Sequence, residues 1–384
     1  MSGLWIIRCP QALPGMSAGP AKLPRMTSAS SLKISSPAEL LAAVPYLLGF
    51  HPSDSVTVVA FRGGRVHFAG RHDLPPPDGD SDDARAAAAH LAAVVAREAA
   101  DGAVVIGYGA PAGVTPAVLR TAEALRRVDV PTFDVLRVTG GRFWSYLCDG
   151  DDGCPDEGWP CPPEHSAIAA AATYAGHVAL PDRDTLVAQL APVGGAAMAA
   201  ATVRARERLS GFADSPAGLA RRVHRAGRAA VRDAERRYRS GGRLSDDEVA
   251  WLGVLLADVA VRDYAWERIG LDPWQLTLWT DVLRRVEPAY VPAPAALLGF
   301  AAWRAGVGAL AWAAVERSLE QDPAYGMAQT LREILTYAVS PAMVDGWPAM
   351  DRRDFDPSVA GRDVPRVRSR PPRVRSRPRR RVRR

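Results

Sequence analysis

The chain has 384 residues, of which 48% are hydrophobic and 23% charged, a composition ordinary for two or three globular domains. No apolar run reaches the ~18 residues that a membrane span requires, and residues 4–7 are too short for a signal-peptide core, so we expect a cytoplasmic protein. The net charge of +6 is uneven: residues 362–384 hold twelve arginines and one aspartate, a charge of +11, so residues 1–361 carry −5.

Residues 1–26 are predicted to be an extension outside the folded domains, because they contain several prolines and glycines and show no usable periodicity. Met26 lies shortly before the first recognisable element. We therefore expect translation to start there naturally, and mass spectrometry of the mature N-terminus tests this.

A capped helix, a tight turn and a β-hairpin are predicted over residues 36–71. Ser36 and Glu39 have the spacing of a capping box at the start of the helix, and Gly49 suits its left-handed exit. Two strand-like runs then flank Gly63 and Gly64, which is typical of a two-residue hairpin turn.

The same stretch contains fourteen positions that together resemble the signature of a known family. They are Pro37, Glu39, Leu40, Pro45, Tyr46, Leu48, Gly49, Phe50, Pro52, Ser53, Ser55, Arg71, Asp73 and Leu74. The chain resembles an actinobacterial family of unknown function, domain-of-unknown-function family 4192, over roughly residues 32–341. The resemblance implies soluble proteins without an assigned reaction, so it adds an expectation about the fold and no catalytic residues.

An α/β domain is predicted over residues 27–166. After the hairpin come a helix from about residue 81, a strand at 103–106, a helix entered at Thr115-Pro116, and strands at 132–139 and 142–148. The order ββαβαββ after the opening helix predicts a mixed sheet covered by helices.

From residue 167 onward no strand is predicted, which gives a helical connector over 167–243 and a helical C-terminal domain over 244–345. Helices are expected at 183–190, 198–209, 216–238 and 273–286, and one more is opened by a capping box at residues 245–248. Residues 295–323 resemble one tetratricopeptide unit, with Ser318 where alanine is usual. A single copy predicts a helix hairpin within a bundle, because a solenoid needs ~3 or more repeats.

A glycine turn is a candidate ligand site. Gly107, Tyr108, Gly109 and Gly113 lie between a predicted strand and a predicted helix, where α/β folds bind anionic ligands. The spacing G-x-G-x3-G misses the dinucleotide fingerprint by one residue. The alternative is a turn that needs glycine only for its conformation.

The ends of the predicted hairpin strands hold further candidates. Arg71 and Asp73 are expected to form a structural ion pair or to line a ligand pocket. His51, Asp54 and Ser55 contain the residue types of a hydrolase triad. All three lie in one turn, however, whereas triad members normally converge from separate segments, so local backbone hydrogen bonds are the favoured interpretation.

Three cysteines and a histidine form a candidate zinc site. Cys148, Cys154, Cys161 and His165 have the spacing C-x5-C-x6-C-x3-H, and thiolate and imidazole ligands suit tetrahedral Zn²⁺. The spacing is looser than that of paired C-x2-C knuckles. The alternatives are unrelated reduced cysteines, one disulfide, or a cysteine nucleophile with His165 as its base.

Arginines recur on one face of the predicted helix 216–238, where they would either follow nucleic-acid phosphates or form a solvated face. They are Arg221, Arg225, Arg228, Arg232, Arg236 and Arg239. Asp233 and Glu235 dilute their charge, so the solvated face is favoured.

Residues 346–384 are predicted to be a disordered arginine-rich tail, because like charges repel and core-forming residues are scarce. The segment PRVRSRP at 365–371 is repeated at 372–378. The candidate nucleic-acid contacts are Arg373, Arg375, Arg377, Arg379, Arg380 and Arg381. Binding would be nonspecific, since the tail has no aromatic residue to stack on bases; a composition-biased extension without a partner is the alternative.

Three functions remain open from the sequence. The first is a non-enzymatic binding or regulatory protein, with a protein or small-molecule partner at the sheet edge or a helical groove and no membrane partner. The second is a nucleic-acid-associated protein that uses the tail. The third, an enzyme at the Cys/His loop or glycine turn, is least favoured because no complete catalytic constellation is present.

Overall fold

One mixed sheet of seven strands is seen in a computed structural model that describes residues 5–8, 34, 36–75, 81–148, 155–163, 165–174, 176–212 and 216–344. The strands are β1 (Trp5–Arg8), β2 (Ser55–Arg62), β3 (Arg65–Asp73), β4 (Gly102–Tyr108), β5 (Thr132–Thr139), β6 (Arg142–Ser145) and β7 (Trp159–Pro160). Their order in the sheet is β1-β3-β2-β4-β5-β6-β7. β4 and β5 are parallel and the other neighbouring pairs are antiparallel, so the predicted mixed α/β sheet is confirmed.

Helices cover the sheet and make up most of the remaining described chain. They are α1 (Pro37–Leu48), α2 (Ser81–Arg97), α3 (Pro111–Arg127), α4 (Ala167–Tyr174), α5 (Arg183–Ala188), α6 (Ala196–Ser210), α7 (Pro216–Arg239), α8 (Asp246–Leu256), α9 (Val259–Trp266), α10 (Pro273–Arg285), α11 (Pro292–Arg304), α12 (Gly308–Gln321) and α13 (Gly326–Thr336), with 3₁₀ turns at Pro288–Tyr290 and Pro341–Val344. Beyond residue 167 the described residues contain no strand, only a bridge between Phe50 and Leu180. The predicted helical region is therefore confirmed. None of the helices described is long and apolar enough to cross a membrane.

Local capping and turn residues determine the first boundaries. The Ser36 hydroxyl accepts a hydrogen bond from the Glu39 amide at 3.2 Å, and α1 ends at Gly49 with φ of 83°. Gly63 and Gly64, with φ of 58° and 70°, join β2 to β3 as predicted. Positive φ at both positions is easy for glycine and strained for residues with a Cβ, so these two glycines define the hairpin turn.

The main core of the sheet region lies between the strands and the helices α2 and α3. Val56, Val58 and Val105 are fully buried in this core together with side chains of both helices. Because side chains alternate along a strand, Ser55 and Thr57 face the opposite side of the sheet, where they are also fully buried.

Two predicted boundaries are wrong. α3 begins at Pro111, not at Thr115-Pro116, because Ala110 already has the extended conformation of an N-cap and Pro111 favours the first helical position. Pro116 therefore lies inside the helix, and the Thr115 hydroxyl contacts the Tyr146 hydroxyl at 2.5 Å. The strand predicted at 142–148 ends earlier, since the Ser145 hydroxyl accepts a hydrogen bond from the Leu147 amide and closes a turn.

Two short edge strands were not predicted. β1 pairs with Phe68–Arg71 of β3, although its four residues lie in the segment predicted to be an extension. β7 has two residues and pairs with β6. Strands this short show no periodicity of their own, because their stability comes from pairing with residues distant in the sequence.

The helical region contains the predicted capping box and helix hairpin. Ser245 and Glu248 exchange both hydrogen bonds of the box. α11 and α12 pack closely at Gly299, where a methyl group would lie 2.9 Å from a methyl of Val315. Ser318 is buried and donates to the Pro292 carbonyl at 2.9 Å. The chain up to Met343 groups as one compact unit, and its predicted subdivisions at 166 and 243 stay predictions.

Candidate functional site

The C-terminal ends of three strands meet at one edge of the sheet. β3 and β4 both run antiparallel to β2, which lies between them, and β5 runs parallel to β4. Their last residues, Asp73, Tyr108 and Thr139, therefore share an edge with Ser55, the first residue of β2. Open α/β sheets bind ligands at the carboxyl ends of their strands, so this edge is the candidate site.

Arg71, two residues before the end of β3, contacts side chains and a carbonyl at this edge. It is only 3% exposed, and its guanidinium lies 2.6 Å from Asp73 Oδ1 and donates to the Ser53 carbonyl at 3.1 Å. The same guanidinium carbon lies 5.6 Å from the centroid of the Phe50 ring. Burial lowers the pKa of Arg71, and the charge of Arg183 lowers it further. The signature residues that are far apart in the sequence thus converge on one buried cation.

A second ion pair lies beside the first. Arg183 of α5 pairs with Glu316 of α12 at 2.9 Å, and both side chains are 32% exposed. Burial is the main cause of the raised pKa of Glu316, and the negative charge of Asp73 raises it as well. Arg71, Asp73, Arg183 and Glu316 therefore lie within electrostatic reach of one another, and we call them the strand-end cluster.

Only half of this cluster was predictable from the sequence. Arg71 and Asp73 were predicted as one pair, and the structure shows that pair. Arg183 and Glu316 were missed because they are 133 residues apart and belong to two different helices. No local pattern joins them; Arg183, directly after the N-cap residue Asp182, was noted only as the start of a helix.

Packing and conformation account for the glycines of the predicted turn. A methyl group at Gly107 would overlap Val114 of α3, so this glycine lets the helix pack directly on β4. Gly109 has φ of 129°, and a methyl group there would lie 2.9 Å from Asp54 Oδ1. Both residues have a structural reason to be glycine without any ligand.

The start of α3 offers few donors to an anion. Pro111 has no N–H, and the Gly113 amide donates to the Ala110 carbonyl at 3.1 Å. Two of the first three helical positions are thus not available to a phosphate. Anion binding at this turn stays a prediction, and the geometry favours the conformational alternative.

Three buried hydroxyls lie behind the strand ends. Ser55 Oγ, Thr57 Oγ1 and the Tyr108 hydroxyl have no hydrogen-bond partner within the described chain, and burial raises the pKa of Tyr108. Ser55 is fully buried whereas His51 is exposed, so they do not form a hydrolase triad open to substrate.

The predicted zinc ligands are only partly described. Cys148 is exposed and Cys161 is partly buried, whereas Cys154 lies outside the described residues. Within the described ranges no three His, Cys, Asp or Glu side chains come together as a metal site. Zinc binding by Cys148, Cys154, Cys161 and His165 therefore stays a prediction. Burial raises the pKa of the Cys161 thiol.

The six tail arginines named above, Arg373 to Arg381, lie outside the described residues. Nucleic-acid binding by the tail also stays a prediction.

Comparison with known proteins gives one match. Neither the curated proteins nor the solved structures searched contain a significant match to the chain. A family model described as a domain of unknown function, DUF4192, matches residues 37–342, which include the signature, the sheet from β2 onward and the helical region. The chain belongs to the DUF4192 family.

Proposed function

We propose that the protein is a non-enzymatic binding protein and that the strand-end cluster binds a small ligand with both an amino and a carboxylate group. The supporting observation is that two ion pairs from separate segments lie at the strand-end edge of the sheet, where open α/β sheets generally bind ligands. Asp73, Arg183 and Glu316 are 34%, 32% and 32% exposed, so ligand atoms can reach them. The carboxylates of Asp73 and Glu316 suit an ammonium group, and the Arg183 guanidinium suits a carboxylate.

The groups near this edge are poor candidates for covalent catalysis. Ser55 is fully buried on the face of the sheet opposite the main core, so a substrate cannot reach its hydroxyl. Because burial raises the pKa of Cys161, its thiol stays protonated at neutral pH and is a weak nucleophile. His72 is only 2% exposed, so a substrate cannot reach it, and its burial lowers its pKa. These environments support binding without turnover.

The proposal includes the cytoplasm of an actinobacterium as the location. The free thiol of Cys161 supports a reducing compartment. The resemblance to an actinobacterial signature supports the source.

Thermal unfolding of the full-length protein with a panel of free amino acids and related zwitterions tests the proposal. A ligand at a hundredfold excess over its Kd stabilises a protein by about 2.7 kcal/mol. We expect this gain for the wild type and for Asp247→Asn, which breaks an exposed ion pair with Arg204 elsewhere. Asp73→Asn should show little of it, with each variant compared to its own ligand-free state.

Three outcomes contradict the proposal. If no zwitterion stabilises the wild type, or if Asp73→Asn responds as fully as the control, the cluster is not the ligand site. If mass spectrometry shows that the bound ligand has been converted after incubation, the protein is an enzyme.

A further inference from the structure

Helix α7 concentrates positive charge on one face. Its 24 residues contain eight arginines against one aspartate and one glutamate. Arg221, Arg225, Arg228 and Arg232 follow one another at steps of four, three and four residues, which places them on the same side of a helix. All four are exposed. We call these four residues the α7 arginine row.

The carboxylates around α7 contact side chains outside the row. Asp233 pairs with Arg236 at 2.6 Å, Glu248 with Arg237 at 2.8 Å, Asp258 with His224 at 3.2 Å, and Glu235 with Arg268 at 2.8 Å. Asp233 and Glu235, the two acidic residues of α7, are therefore ion-paired in the C-terminal half of the helix. No carboxylate of the described residues forms an ion pair with the row.

The contacts of the row are neutral or absent within the described chain. Arg221 and Arg225 have no hydrogen-bond or ion-pair partner among the described residues. The guanidinium carbon of Arg228 lies 5.4 Å from the centroid of the Tyr264 ring, and Arg232 donates to the Tyr264 hydroxyl at 3.4 Å. Tyrosine is uncharged at neutral pH, so it orients these two guanidinium groups without neutralising them.

Stability does not explain such a row. Like charges three or four residues apart destabilise a helix by about 0.2–0.5 kcal/mol per pair. A solvated helix face usually alternates the two signs of charge, whereas the first seventeen residues of α7 contain no acidic residue.

We propose that the α7 arginine row binds the phosphate backbone of nucleic acid without reading its sequence. Arginine presents a planar fork that matches phosphate oxygens, and the row spans about 16 Å along the helix, enough to meet several phosphates. Protein interfaces usually depend on aromatic anchors. The aromatic residue beside the row, Tyr264, is only partly exposed and already contacts Arg228 and Arg232, and Tyr238 of α7 is buried, so an acidic protein is the less favoured partner.

Salt-dependent DNA binding by the full-length protein, tail included, tests this surface. The row variant is Arg221→Gln/Arg225→Gln/Arg228→Gln. The matched control is Arg126→Gln/Arg127→Gln/Arg332→Gln, which removes the same charge from exposed positions on α3 and α13. The probes are a fluorescent DNA duplex and poly-glutamate.

Each lost phosphate contact lowers the logarithmic salt slope on duplex DNA by about 0.9, so the row variant should lose up to about 2.7 and the control much less. The corresponding triple lysine variant restores the positive charge and should recover most of the slope. Recovery would show that the glutamine variant loses binding through its charge and not through misfolding. Equal slopes for the row and control variants would overturn the proposal and assign binding to another region such as the tail. Poly-glutamate binding that equals DNA binding and falls in the row variant would overturn it in favour of an acidic protein.

Discussion

Arginine serves opposite purposes in two regions of this molecule. In the strand-end cluster Arg71 is 3% exposed and lies 2.6 Å from a carboxylate, whereas every arginine of the α7 row is exposed and contacts no carboxylate within the described chain. A buried cation must be paired, since removing it from water costs several kcal/mol. An exposed cation keeps its hydration and can exchange it for a ligand. The pair of buried Arg71 with Asp73 thus helps to hold the fold together, and the row does not.

The largest effect is expected from Arg71→Ala. Loss of this side chain removes the donor to the Ser53 carbonyl and the guanidinium beside Asp73. Breaking a fully buried pair costs about 3–5 kcal/mol, and the 34% exposure of Asp73 lowers that figure. Urea unfolding measures the loss. Arg204→Ala, which breaks an exposed pair, should cost at most about 1 kcal/mol. Similar losses for both variants would show that the Arg71–Asp73 pair contributes no more to stability than an exposed ion pair.

A smaller loss is expected from Gly107→Ala, behind the same edge. The new methyl group would overlap Val114 and Val118, and overpacking of this kind costs about 1–3 kcal/mol. Gly326→Ala is the control, because nothing lies within 4 Å of its Cβ position. A neutral Gly107→Ala would mean that this glycine does not serve packing, and would reopen the ligand interpretation of the turn.

Glu316→Gln should change the pH dependence of stability. The pKa of Glu316 is raised in the folded protein by burial, so the folded state holds this proton more tightly than the unfolded state. Its contribution is therefore present at low pH and is lost as the pH rises from about 4.3 through the folded-state pKa. Between these pH values the free energy of unfolding should fall less steeply with rising pH for the variant than for the wild type. The two proteins should differ in stability by less than about 1 kcal/mol at pH 7. An unchanged decline contradicts the assignment to Glu316.

The smallest effect is expected from the triple glutamine variant of the α7 row. Removing Arg221, Arg225 and Arg228 relieves like-charge neighbours, each worth about 0.2–0.5 kcal/mol. Thermal unfolding in low salt should show unchanged or slightly raised stability. Destabilisation by more than about 1 kcal/mol would show that the row is structural, like the strand-end cluster.

Elements specified by nearby residues were predictable, and those made by distant residues were not. The helix start at Ser36 and the hairpin turn at Gly63-Gly64 depend on contacts within a few positions, and both were predicted correctly. The start of α3 was misplaced because Pro111 and Pro116 each suit a first helical position; only packing of the helix on Gly107 distinguishes them. In the site, Arg71–Asp73 was predicted and Arg183–Glu316 was not.

The sequence by itself determined the mixed sheet, the helical second half and the positions of the arginines, because periodicity, capping and glycine turns act over short distances. Only the tertiary structure decided which charges are compensated: it brings Glu316 to Arg183, Glu235 to Arg268, and no carboxylate to Arg225 within the described chain. Charge pairing depends on distances of a few ångströms between segments that folding alone brings together.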